Sequence, residues 1–274
     1  MKKVDLHLHS SCSDGQYPPG EVMRMAADAG VKVVSLTDHD TVAGQTEARA
    51  AATGFGMRYI PGIEISTRSR AEQHILGYGI DVESERLSEL CGDFIRLREE
   101  RAARTLAFLK DRGIDLTMEE IRSCVHGAYI GRPHIAEALV RRGVVRTRKE
   151  AFDRYLATAA FQKIERPKPT AEAGIRAIKD AGGKAVLAHP HSLNLPPEGL
   201  ERALRDLASI GLDGMECYYT GYAQERIDEY TAIARRLGLL ITGGSDFHGP
   251  QVKPGTVIGG AGYYDTTIYE ILIN

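Results

Sequence analysis

Seven short apolar runs alternate with stretches of helical spacing, and this alternation sets the tightest limit on what the 274-residue chain can fold into. The runs expected as strands are Lys3–Leu8, Lys32–Leu36, Arg58–Ile65, His74–Ile80, Lys184–Ala188, Gly214–Cys217 and Leu239–Gly243. The helix-like stretches are Pro19–Ala29, Val42–Thr53, Thr170–Ala181, Pro197–Ile210 and Tyr222–Leu237. Gly30, Gly54, Gly182, Gly211 and Gly238 follow them, where helix C-caps belong. Repeated strand–helix alternation argues for an α/β fold, a parallel sheet with helices outside it. No glycine-rich dinucleotide turn follows the first strand, so a barrel fits better than an open sheet. The length suits a single α/β barrel with a large buried core.

One segment breaks the rhythm. From about Glu83 to about Pro169 the pattern is helical with little strand. Arg86–Arg112 reads as one long helix ended by Gly113, and Thr117-Met118-Glu119-Glu120 and Thr147-Arg148-Lys149-Glu150 both match the capping box. Arg166-Pro167-Lys168-Pro169 looks like a return linker. The expected organisation is therefore a discontinuous barrel over residues 1–82 and 170–274, with a helical insertion over 83–169. The net charge of -2 excludes a generally basic nucleic-acid coat. Cys12, Cys91, Cys124 and Cys217 form no CxxC pair, and the residues after Met1-Lys2-Lys3 are not a secretory core. They read as reduced thiols of a cytoplasmic protein. No stretch approaches the ~18 apolar residues that span a bilayer, and nothing marks a stable protein partner.

The chemistry-bearing residues sit where those strands end. In Val4-Asp5-Leu6-His7-Leu8-His9 the side chains alternate, so His7 and His9 share a face. The same grammar returns in Ser245-Asp246-Phe247-His248 after the strand Leu239–Gly243, and Thr37-Asp38-His39-Asp40 follows Val33-Val34-Ser35-Leu36. Glu64 is a charge within the isoleucine-rich Ile60-Pro61-Gly62-Ile63-Glu64-Ile65, His74 begins a strand, and His189 ends one. Six of nine histidines thus lie at a strand or its end, and barrel strands converge on one mouth. A single such histidine is ordinarily satisfied by a carbonyl. Six together, joined by Asp14, Glu64 and Asp246, require compensating positive charge, because unpaired carboxylates are costly to bury. Imidazole and carboxylate without thiolate suit zinc, manganese or Fe(II) better than calcium or magnesium. Cys12 has polar loop neighbours and does not read as a ligand.

At these residues the sequence resembles the PHP family, named for polymerase and histidinol phosphatase domains. The resemblance rests on Asp5-Leu6-His7-Leu8-His9-Ser10, Ser13-Asp14-Gly15, Leu36-Thr37-Asp38-His39-Asp40, Pro61-Gly62-Ile63-Glu64, His74-Ile75-Leu76-Gly77-Tyr78, Ala188-His189-Pro190 and Gly244-Ser245-Asp246-Phe247-His248, spread along nearly the whole chain. It implies a distorted β/α barrel of about seven strands. It also implies a metal-dependent phosphoesterase with two or three divalent ions. His7, His9, Glu64 and Asp246 would hold the first. Glu64 would bridge to a second, completed by His74 and His189. Asp14, His39 and His248 would hold a third. Gly131-Arg132-Pro133-His134-Ile135-Ala136 and the arginine-rich Arg98–Arg104 stretch resemble the 3′,5′-nucleoside bisphosphate phosphatase branch, which also contains enzymes trimming RNA from its 5′ end. The branch's Gly-Lys-Pro string is replaced here by Ala157-Thr158-Ala159-Ala160-Phe161-Gln162-Lys163, so a substrate-facing loop differs.

The implied chemistry is attack on phosphorus by a metal-activated hydroxide, with Glu64, Asp246 and His248 at the catalytic centre. Candidates for the proton donor are Asp38, Asp40 and His191, and for the two aspartates support of a neighbouring ligand is the competing role. Arg132 and His134 would take a second anionic group, Arg101 and Arg104 reach substrate by helical spacing, and the insertion would act as a substrate lid. The substrate would be a small phosphate ester, such as a 3′,5′-nucleoside bisphosphate, or a short oligonucleotide. Relatives acting on cyclic phosphodiesters, other small-molecule phosphatases and a non-enzymatic PHP module are the competing readings.

Overall fold

A computed structural model describes residues 2–69, 71–125, 127–164 and 168–273. All seven expected strands are present with shifted ends: β1 Lys3–Asp5, β2 Val31–Leu36, β3 Arg58–Thr67, β4 Gln73–Tyr78, β5 Lys184–Leu187, β6 Gly214–Tyr219 and β7 Leu240–Gly244. The helices are α1 Pro19–Asp28, α2 Gln45–Gly54, α3 Glu85–Lys110, α4 Met118–Arg122, α5 Arg132–Arg141, α6 Arg148–Ala151, α7 Ala159–Gln162, α8 Ala171–Asp180, α9 Pro197–Ser209, α10 Gln224–Leu237 and α11 Ile268–Ile273. A π-helical turn, Phe152–Leu156, continues α6.

The strands form one sheet in sequential order, β1 to β7. The segments that continue β1 and β7 are bonded to each other: Leu6 N–H to Gly243 O at 3.1 Å, Asp246 N–H to His7 O at 2.8 Å and His9 N–H to Phe247 O at 3.0 Å. The first and last strands thus meet, which is what a barrel requires of its seam. Gly244 permits that approach, since a Cβ there would lie 2.3 Å from the Cβ of His7.

The sheet is not wholly parallel, contrary to the expectation from strand–helix alternation. β4 runs antiparallel to both β3 and β5. The link from Thr67 to Gln73 allows only a hairpin, whereas a parallel crossover needs about a dozen residues or more. This reversal brings the start of β4, and with it His74, to the end of the sheet where the other strands finish.

Between β4 and β5 the described residues form helices, and their side chains make a core of their own that includes Ala102, Leu109, Ile121, Leu139, Leu156 and Phe161. The long α3 belongs to both cores. Leu87, Cys91 and Phe94 on its first half join Ile175 and Ile178 of α8 beside the sheet, while Ala102 and Leu109 face the helical cluster. Thr117 and Glu120 form a complete capping box. The second expected box is half made: Thr147 accepts from Glu150 N–H, but the Glu150 carboxylate accepts from Arg146 N–H at 2.8 Å. Gly54 is the last helical residue of α2 rather than its left-handed terminator, a place taken by Gly56 at φ +70°. Gly30, Gly113, Gly182, Gly211 and Gly238 have the positive φ expected of them. Of the return linker, Arg166 and Pro167 lie outside the described residues.

Candidate active site

The backbone beyond each strand end decides where the histidines go. Past β2, Asp40 N–H donates to Glu64 O at 2.9 Å and Glu64 N–H to Asp38 O at 3.1 Å, so His39 is bridged directly to the strand that carries Glu64. Asp40, His189 and Asp246 all have positive φ, at 57°, 26° and 54°. Such conformations are unfavourable for residues with a Cβ and persist only where the surroundings impose them. Here they turn the chain sharply just as it leaves β2, β5 and β7.

The side chains of the nine proposed ligands converge. On one side of Glu64, Oε2 lies 3.3 Å from His7 Nε2, 3.2 Å from His9 Nε2 and 2.9 Å from His39 Nδ1. On the other, Oε1 lies 3.0 Å from His74 Nδ1 and 2.9 Å from His189 Nε2. Asp246 Oδ1 is 3.5, 3.3 and 3.3 Å from His7 Nε2, His9 Nε2 and His248 Nδ1. Asp14 Oδ1 is 3.3 Å from His248 Nε2 and 4.0 Å from His39 Nε2. Among the described residues, three sets of donor atoms fit within single-ion reach: His7, His9 and Asp246; His39, Glu64 and His74; and His9, Asp14, His39 and His248. His39 therefore stands between two sets, and His9 likewise, where the family resemblance gives each to one ion. A cavity of about 340 Å³ opens over the cluster, lined by Asp14, His39, Glu64, Glu72, His74, His189, His191, Ser192, Tyr219, Asp246, His248, Val252 and Lys253.

The residues fit divalent cations. His7 Nε2, His9 Nε2, Asp14 Oδ1, His39 Nδ1 and Glu64 Oε2 are buried without a hydrogen-bond partner, although they lie within one cluster of carboxylates and imidazoles. Buried polar atoms are otherwise almost always bonded. Burial pushes the Glu64 carboxyl up, but the His39, His7 and His74 imidazoles outweigh it and hold the group well below the usual carboxylate range. Burial acts the same way on Asp246 and Asp14; His7 and His248 overcome it at the first, His39 and His248 at the second. The cluster thus concentrates ionised carboxylates in a buried space, which calls for positive charge from bound protons or cations. Burial pushes His74 down to about 4, against the pull of Glu64.

Four supporting residues escaped the sequence reading. Glu216, fully buried on β6, accepts from His7 Nδ1 at 3.0 Å and from His189 N–H at 2.7 Å. Because a carboxylate only accepts, His7 carries a proton on Nδ1, which makes Nε2, facing Glu64 and Asp246, the atom that would ligate a cation. Tyr219 donates to Asp246 Oδ2 at 2.7 Å, and Lys253 pairs with the same oxygen. Arg98 makes a buried ion pair with Asp40 and stacks its guanidinium 3.7 Å from the Tyr129 ring centroid. That ring lies parallel to His39, with 6.3 Å between centroids.

Those contacts sort the three proton-donor candidates. Asp38 accepts from Ser10 N–H at 2.7 Å and from the hydroxyls of Ser10 and Ser13 at 2.6 and 2.5 Å. Asp40 is held by Arg98 and by Ser66 N–H at 2.8 Å. Both are buried, hold loops in place and do not line the cavity, whereas His191 does, with Nδ1 2.7 Å from the Tyr222 hydroxyl.

The anion-binding candidates lie on the helical side. His134 uses Nδ1 to accept from Gly131 N–H at 3.0 Å and so caps α5, while its ring borders a groove of about 250 Å³ that adjoins the metal cavity at Asp14 and Val252. Arg132 and Arg101 line a smaller recess with Arg98 and Phe161. Arg104 is exposed on α3 and lines neither the metal cavity nor these two recesses.

Comparison with known proteins agrees with this geometry. A sequence model of the PHP domain matches residues 5–164. The chain is 36% identical over 253 residues to a 5′-3′ exoribonuclease of Haemophilus influenzae, with 91% of each chain covered. It is 33% identical over 252 residues to a 3′,5′-nucleoside bisphosphate phosphatase of Chromobacterium violaceum, covering 91% of this chain and 88% of that one. Among solved structures, one of Bifidobacterium adolescentis, described as a metal-dependent phosphoesterase, superposes with a TM-score of 0.86 at 33% identity, over 98% of this chain and 95% of its own.

Proposed function

The chain belongs to the PHP domain family of metal-dependent phosphoesterases, and from that premise we propose that it hydrolyses a nucleotide-type phosphate ester, a 3′,5′-nucleoside bisphosphate or the 5′ end of a short RNA. The observation that carries the metal part is the set of mutually facing, buried atoms without hydrogen bonds on one side of Glu64: its Oε2, His7 Nε2, His9 Nε2 and His39 Nδ1. His7, His9, Asp14, His39, Glu64, His74, His189, Asp246 and His248 would hold two or three divalent ions, and the oxygen and nitrogen donors suit manganese, zinc or iron. Bound there, such ions supply Lewis acidity toward water and toward the phosphoryl oxygens. The chain's own residues do the rest. Glu216 fixes the tautomer of His7, Tyr219 and Lys253 fix Asp246, and the positive-φ turns fix His189 and Asp246. His191 would exchange a proton with the departing oxygen, a role supported by its position in the cavity wall.

The helical segment between β4 and β5 would be the lid that sets specificity. What supports this is the division of residues: every proposed metal ligand lies outside 83–169, while Arg132, His134 and Arg101 lie inside it. A metal cluster recognises the phosphate that reacts, and a second phosphate needs its own cationic partner. The names of the two relatives, an exoribonuclease and a nucleoside bisphosphate phosphatase, support the same substrate class. Among the described residues no helix is long and apolar enough to cross a membrane.

The test is a phosphate-release screen of the metal-loaded protein against nucleoside bisphosphates, mononucleotides, cyclic phosphates and 5′-phosphorylated RNA, with and without a chelator. Chelator-sensitive turnover with the bisphosphate or the RNA end preferred is expected. Turnover confined to cyclic phosphates or sugar phosphates would replace the substrate assignment, and chelator-resistant activity would overturn the metal assignment. In 18O-labelled water the label should enter phosphate; label in the alcohol would mean attack at carbon.

A further inference from the structure

Taking the phosphoesterase reading as its basis, we infer that Lys253 contacts the reacting phosphoryl group, as the protein's own cationic partner to the metal cluster. Among the described residues that line the cavity it is the one lysine or arginine; the others that carry charge are Asp14, Glu64, Glu72, Asp246 and the histidines. Its ammonium is held from one side. It pairs with Asp246 Oδ2, donates to the Tyr219 hydroxyl at 2.6 Å, and sits 5.2 Å from the centre of the Tyr219 ring. Two of its three N–H donors are therefore engaged, and the third is available. The side chain keeps 36% exposure, and the open space beside it is the cavity.

The arrangement around Asp246 gives this cation its meaning. Oδ1 of Asp246 faces His7, His9 and His248, the proposed metal side, while Oδ2 is taken by Tyr219 and Lys253. One carboxylate thus places a fixed ammonium next to the space a metal-held phosphate would occupy. A lysine whose only task was to neutralise Asp246 would not need the cavity, and a buried carboxylate already facing three imidazoles has other sources of charge compensation. Tyr219 acts here as a positioning residue: its hydroxyl accepts from the ammonium and donates to Asp246, so the ordering cost of the flexible side chain is met before substrate arrives.

The experiment compares wild type, Lys253→Gln and Lys253→Arg, each loaded with the same metal, by three measurements: metal content, calorimetric binding of inorganic phosphate, and kcat/KM for a preferred substrate. In Lys253→Gln, loss of one charge-assisted hydrogen bond should weaken phosphate binding and lower kcat/KM by about ten- to a hundredfold, with full metal content retained at saturating metal. Lys253→Arg should recover most of the phosphate affinity. Loss of metal in step with activity would overturn the inference and make Lys253 a support for Asp246 alone. Unchanged phosphate affinity in Lys253→Gln would overturn it as well. A failure of the phosphoesterase reading shows elsewhere, as wild-type protein that neither binds phosphate nor hydrolyses any ester in the screen.

Discussion

Replacing Glu216 with glutamine should weaken metal binding without removing a single proposed ligand. The carboxylate makes two bonds, from His7 Nδ1 at 3.0 Å and from His189 N–H at 2.7 Å, and both partners are donors. A glutamine of the same shape can offer its carbonyl oxygen to one of them, but its NH₂ must then face the other donor. The variant therefore loses one charge-assisted bond outright and weakens the second. A hydrogen bond to a charged group contributes about 1.5–3 kcal/mol, and His7 loses the partner that holds its Nε2 lone pair toward the ion. Changes of this kind at the residue behind a metal-bound histidine reduce affinity by about 10–100-fold. The assay is a competitive titration of the metal-free protein against a chromophoric chelator, followed by kcat at saturating metal. The expected result is tighter chelator competition by one to two orders of magnitude, with most of kcat restored once metal is in excess. Unchanged affinity would refute the reasoning. So would normal affinity with depressed kcat, which would place Glu216 in the chemical step.

Three further outcomes test other parts of the site. Glu64→Gln removes the charge shared by the donor sets on both of its oxygens, so elemental analysis should find at least one ion fewer per chain and turnover should nearly vanish; full metal content would contradict its bridging position. Arg132→Ala should lower kcat/KM for a 3′,5′-bisphosphate by roughly ten- to a hundredfold, the loss expected for one charge-assisted contact, and affect p-nitrophenyl phosphate much less; equal losses would mean that Arg132 serves the reacting phosphate or the fold. Arg98→Met leaves Asp40 buried without its cation, and breaking such a pair costs about 3–5 kcal/mol, so urea unfolding should show a loss of that order; a loss below about 1 kcal/mol, the range of exposed pairs, would mean the pair is effectively solvated.

What the sequence revealed and what it hid follow from the same physics. A charge inside an apolar strand is conspicuous, and Glu64 stood out in Ile63-Glu64-Ile65 for that reason. Glu216 carries the same signal between Met215 and Cys217, on a strand the reading had identified, and the flanking alternation would have marked it. Strand existence was legible because burial imposes apolar runs; strand direction was not, because an antiparallel β4 and a parallel one have the same pattern. Only the shortness of the Thr67–Gln73 link carried that information, and it explains how His74, at the start of its strand, joins residues that follow theirs. On α3 the spacing of the arginines favours Arg101 and Arg104, whereas the informative quantity is which arginine falls on the buried stripe of the helix. The buried positions run Leu87, Cys91, Phe94, Arg98, Ala102, Thr105 and Leu109, at spacings of three and four. An arginine within such a stripe must find a buried anion, and Arg98 finds Asp40, next to His39. The helical segment and the histidine cluster are joined at that point by the Arg98–Asp40 ion pair and by the Arg98–Tyr129–His39 stack. Any displacement of that helix would therefore act on His39, a residue shared by two of the three donor sets found among the described residues.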